Sequence, residues 1–115
     1  MKWYVIKSPQ WKGGDGFPVM KKGWGNGYVA VPPTHPLYLG DVTQKKISLV
    51  QSLDINGGIT YSDFGNGQYA PKGWWVFGFD TAHFGDTIEK WPKEAVEAET
   101  KRLYCQLLDI ELGEL

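Results

Sequence analysis

Hydrophobic and polar positions along the chain divide it into a strand-rich portion and one long helix. Trp3 to Lys7 mixes aromatic and β-branched residues and reads as a first strand. Lys12-Gly13-Gly14-Asp15-Gly16 and Pro18 are turn chemistry, and Gly23-Trp24-Gly25-Asn26-Gly27 is a second glycine turn. Tyr28 to Val31 reads as a strand that Pro32-Pro33 stops. Between Ile47 and Ile55 the apolar residues Ile47, Leu49, Leu53 and Ile55 recur at even spacing, which predicts one strand or two short ones. Asn56-Gly57-Gly58 bends the chain, Ile59 to Tyr61 resumes a strand, and Asp63 to Gly73 is loop-like. Trp74 to Phe79 is almost continuously apolar, as expected of a central strand, with Gly78 marking a bulge or a close approach.

From about residue 92 to 111 the period changes to that of a helix. Val96, Leu103, Leu107 and Ile110 share one face with Thr100 between them. Pro92 suits the first helical position, Glu94 the first turn and Gly113 the stop. Glu97 and Lys101 are spaced for an i,i+4 pair. The expected fold is α+β: a small twisted, mainly antiparallel sheet in a β-rich portion 1–86, with a single amphipathic C-terminal helix packed on it. The 115 residues suit one domain.

Composition narrows the function classes. Fifteen glycines and six tryptophans are high for this length, since glycine averages ~7%. They suit short strands, tight loops and either an aromatic core or an aromatic binding surface. A net charge of −1 lacks the basic excess of a duplex-DNA binder. The lysines at 12, 21 and 22 and the pair Lys45-Lys46 read as solvated loop charges. No apolar run approaches the ~20 residues of a membrane span and no secretory leader pattern is present. With one cysteine, Cys105, no internal disulfide can form. These features point to a cytoplasmic protein. Cys105 itself reads as a small buried hydrophobe. The aromatic content is also compatible with a homo-oligomer.

The densest chemistry is Asp80-x-x-His83-x-x-Asp86, directly after the apolar strand. Asp and His side chains there suit general acid and base work, metal ligation, or simple closure of a turn. The spacing is not that of a zinc site. Gly57-Gly58, with Thr60 and Tyr61 following, offers backbone amides and hydroxyls to a ligand, or else forms a hairpin turn or bulge. No glycine loop has the spacing of a phosphate-binding Walker motif. Trp24 and Tyr28 either stack on a planar ligand or fill the core beneath their loop. His35 reads as an incidental loop histidine.

Three blocks carry a family resemblance: Gly23-Trp24-Gly25-Asn26-Gly27-Tyr28-Val29-Ala30-Val31-Pro32, Gly57-Gly58-Ile59-Thr60-Tyr61, and Trp74 through Asp86. From about Gly23 to the C-terminal helix the chain resembles a group of small bacteriophage and prophage proteins. The last block is the most specific. The resemblance implies a phage accessory role in the host cytoplasm, of the kind that counters host defence. In that group a histidine often precedes the glycine pair; here Asn56 stands in its place, which weakens a catalytic role.

The leading expectation is therefore a non-enzymatic binding protein, without cofactor or resident metal, that sequesters a small polar ligand such as a nucleotide immune signal. Its expected ligand-binding residues are Trp24, Asn26, Tyr28, Gly57, Gly58, Thr60, Tyr61, Asp80 and His83. One alternative is a metal-assisted nucleotide or phosphoester hydrolase using Asp80, His83 and Asp86. Another is a protein-binding inhibitor of a host defence enzyme, for which the acidic helix face of Glu94, Glu97 and Glu111 offers a surface.

Overall fold

The computed structural model describes residues 1–9 and 22–113. The glycine turn at 12–16, Pro18 and Lys21 lie outside the described residues. Among the described residues, four strands form an open antiparallel sheet in the order β1-β2-β4-β3. They are β1 (Lys2–Lys7), β2 (Gly25–Val31), β3 (Tyr61–Phe64) and β4 (Trp75–Phe79). Two helices accompany them, α1 (Gln44–Gln51) and α2 (Lys93–Glu111).

Alternation along the strands separates two faces. Val29 and Val31 of β2 and Trp75, Phe77 and Phe79 of β4 belong to the main core. Val96, Leu103 and Leu107 of α2 join the same cluster, and α2 packs on β1 and β2. Phe77 and Phe79 are almost wholly buried; burial of such a side chain contributes about 1.5–3 kcal/mol. Thr100, also buried on this face of α2, donates its hydroxyl back to the Val96 carbonyl at 2.7 Å. The helix ends as expected, with Gly113 just beyond it at φ +88°. Pro92 occupies the cap rather than the first helical turn. Lys101 lies over the Trp3 ring, 5.2 Å from its centroid.

The segment expected to be a strand between Ile47 and Ile55 is instead helix α1 followed by a loop. Ile47, Leu49, Leu53 and Ile55 fit period two, but Val50 and Leu53, three apart, both join the main core. The chain therefore has two helices among the described residues, not one. The strand expected from Ile59 begins two residues later and runs to Phe64, into what reads as loop.

His35 is not an incidental loop residue. It is buried, its Nε2 lies 2.7 Å from the Leu107 carbonyl, and its Nδ1 accepts the Leu37 N–H at 3.0 Å. With Nδ1 accepting, Nε2 carries the proton and donates to α2. Burial lowers the His35 pKa from its ordinary value, outweighing the opposing bond to Leu107.

Candidate functional site

The sheet face opposite α2 carries a row of tyrosines. Tyr4 pairs with Tyr28, Tyr28 pairs with Gly78, and Tyr61 pairs with Gly78. Tyr4, Tyr28, Gly78 and Tyr61, one from each strand, thus cross the sheet in a single line. Tyr28 stacks on Tyr4 with centroids 5.1 Å apart, and Tyr4 stacks on Tyr69 at 5.3 Å. Tyr61 meets Tyr28 edge to face at 5.6 Å. These are the offset-stacked and edge-on arrangements that ring quadrupoles favour.

Gly78 makes room for this arrangement. A β-carbon there would lie 2.6 Å from Cδ1 and 2.7 Å from Cε1 of Tyr28. The Tyr28 ring leans over the glycine, so the break in the apolar run is a close approach and not a bulge in the ladder.

A cleft of about 230 Å³ opens beside the row. Ile6, Ala70 and Val76 supply aliphatic surface to it, the four tyrosines supply rings, and Asn66 and Gln68 supply amides. Phe64 and Gly65 complete the lining, and among the described residues no charged side chain takes part. Tyr61 and Tyr69 are each 44% exposed, so their rings are accessible from solvent. Burial first, then the neighbouring tyrosines, push the Tyr4 phenol up to about 12. Burial and the nearby Asp63 carboxylate raise the Tyr61 phenol as well. At neutral pH both rings present O–H groups able to donate.

The polar turn after β4 forms a second constellation. Asp80 Oδ1 accepts the Ala82 N–H at 3.0 Å, and Asp86 Oδ2 accepts the His83 N–H at 2.9 Å. The Asp86 N–H closes the turn onto the His83 carbonyl at 2.9 Å, with Gly85 at φ +90°. Phe84 stands fully exposed at the tip. The His83 Nδ1 lies 3.3 Å from Asp80 Oδ1 and 3.4 Å from Asp86 Oδ2, near both carboxylates but aligned for a hydrogen bond with neither. Its ring rests on Gly57, where a β-carbon would come within 2.2 Å of Cε1. Asn56 Nδ2 reaches Asp86 Oδ2 at 3.4 Å, and the Asn56 N–H donates to Glu99 Oε2 of α2 at 2.8 Å. Arg102 bridges Glu99 and Asp54. The His83 turn and the Gly57 loop are thus joined to each other and, through Glu99, to α2. Among the described residues no group of three or more His, Cys, Asp or Glu side chains is arranged to hold a metal ion.

The expected ligand-binding residues therefore fall in different places. Tyr28 and Tyr61 line the cleft, and Asn26 adjoins it, its amide 3.3 Å from the Tyr28 hydroxyl. Gly57, Asp80 and His83 belong to the turn constellation. Gly58 and Thr60 connect the two: the Gly58 N–H bonds to Ile55 and the Thr60 N–H to Gly78. Trp24 stands apart from Tyr28. It packs against the main core, with the Lys93 ammonium 5.7 Å from its ring centroid. Cys105 is exposed on α2, not buried.

Tyr4, Asn66, Gln68 and Tyr69 are cleft residues that residue-by-residue inspection passes over. Tyr4 sits in an ordinary-looking strand and the other three in a glycine-rich loop. The one local signal is tyrosine on β2 and on β3 opposite Gly78 of the apolar strand, with Tyr4 of β1 one strand further out opposite Tyr28. Comparison with protein-family models, curated proteins and solved structures finds no match.

Proposed function

We propose that this chain is a binding protein that holds a small planar polar ligand, such as a nucleotide, on its tyrosine face and releases it unchanged. The observation that carries the proposal is the tyrosine row beside an open cleft on the sheet face that α2 leaves uncovered. Aromatic stacking contributes about 1–3 kcal/mol per base and needs no catalytic group. The resemblance to small phage and prophage proteins supplies a context in which such binding is useful: sequestration of a host signal.

The hydrolase alternative has less support. One oxygen of the buried Asp86 carboxylate already accepts two hydrogen bonds within its own turn and loop. Asp80 caps a backbone amide of that turn. One exposed ring, Phe84, does not make an apolar patch, so the alternative of a protein-capping inhibitor has less support too.

Calorimetry against a panel of nucleosides and nucleotides tests the proposal, with chromatography of the ligand afterwards. Heat with at least one member and recovery of intact ligand are expected. No heat with any member at high micromolar concentration contradicts binding, and conversion of the ligand contradicts the absence of turnover.

A further inference from the structure

We infer, on the basis of the binding function proposed above, that the cleft accepts an uncharged heteroaromatic ring of nucleobase type and leaves any attached phosphate in solvent. Size is the first ground. At about 230 Å³ the cleft is smaller than the roughly 300–1,000 Å³ of sites that enclose drug-sized ligands. It suits one ring system, not a whole nucleotide.

Charge is the second ground. A buried phosphate needs cationic or clustered backbone donors. The described lining contains no lysine, arginine or histidine, and the Asp63 carboxylate acts on the adjacent Tyr61. That field disfavours an anion and does not penalise a neutral ring.

Hydrogen-bonding chemistry is the third. Asn66 Oδ1 accepts the Gln68 N–H at 2.9 Å, so the Asn66 side chain still has its NH₂ group to donate. The Gln68 side-chain amide presents both a donor and an acceptor at the same rim. An amide of this kind matches a ring edge with an adjacent donor and acceptor, as in adenine. The half-exposed Tyr61 and Tyr69 rings provide the stacking surface.

Adenosine and adenosine monophosphate, titrated separately by calorimetry at low and at high salt, test this assignment. Adenosine is expected to bind within about threefold of the monophosphate, with little salt dependence. Tyr69→Ala and Tyr61→Ala, both at exposed positions, are expected to weaken adenosine by about 5- to 150-fold each while leaving thermal unfolding near that of the unmodified chain. Monophosphate binding more than about tenfold tighter and lost at high salt would overturn the neutral-ring assignment and leave the binding function standing. Full adenosine affinity in both tyrosine variants would overturn the placement in this cleft. Binding of neither compound, nor of any other nucleoside or nucleotide, overturns the assignment and the binding function together.

Discussion

The Tyr28 ring lies directly over the α-carbon of Gly78, in the space that any side chain at position 78 would occupy. This contact lets three tyrosines of three different strands meet across the sheet. It ties the composition of β4 to the shape of the cleft.

Gly78→Ala should therefore disturb both stability and the cleft. The new methyl group would sit 2.6 Å from Tyr28 Cδ1, and overpacking of this kind costs about 1–3 kcal/mol. Urea unfolding of the single variant and of Gly78→Ala combined with Tyr28→Ala checks the cause. The alanine is expected to cost clearly less when the Tyr28 ring is absent. Equal cost in both backgrounds would place the strain elsewhere.

Gly57→Ala carries two penalties. Its φ of +71° lies in the left-handed region, which costs a residue with a β-carbon about 1–2 kcal/mol. The β-carbon would also meet the His83 ring at 2.2 Å. In a His83→Ala background only the backbone penalty remains. A double-mutant cycle should show coupling of about 0.5–3 kcal/mol, with the double variant less destabilised than the sum of the singles.

His35 predicts a specific pH dependence. Burial holds its folded-state pKa below 6.5, so the unfolded chain binds the proton more readily. The stability contributed by neutral His35 is complete above the unfolded value. It falls as the pH drops below 6.5 and on through the folded-state value. Urea midpoints of the unmodified chain and of His35→Gln, measured across this range, should converge as the pH falls. Parallel curves would show that His35 does not supply the slope.

Tyr4 predicts the opposite sign at alkaline pH. Its phenol is raised from 10.0 to about 12, so the neutral ring is favoured by folding. The associated stability is complete below pH 10 and is lost as the pH rises toward about 12. Phenolate absorbance should show a late-titrating tyrosine that disappears in Tyr4→Phe. All tyrosines titrating together in the folded protein would contradict the burial of Tyr4.

The elements most readily inferred from the amino-acid order are those whose pattern has one structural solution. The apolar run of β4 and the i,i+4,i+7 spacing of Val96, Thr100 and Leu103 are of this kind. Helix α1 is not, because Ile47, Leu49, Leu53 and Ile55 also fit period two and no acidic residue marks its first turn. The same distinction holds at the sites. Asp80, His83 and Asp86 are close in sequence and meet in one turn. Tyr4, Tyr28, Tyr61 and Tyr69 come together only through strand order and register. Spacing along the chain does not encode that register, so the aromatic cleft emerges only with the sheet.

The most direct test of the tyrosine cleft is two-dimensional NMR of the full chain during titration with adenosine. Binding at the cleft predicts shifts concentrated on Tyr4, Tyr28, Tyr61, Gln68, Tyr69 and Gly78, with Gly57 and His83 little changed. Shifts centred instead on Gly57, Asp80 and His83, or no shift with any nucleoside, would contradict it.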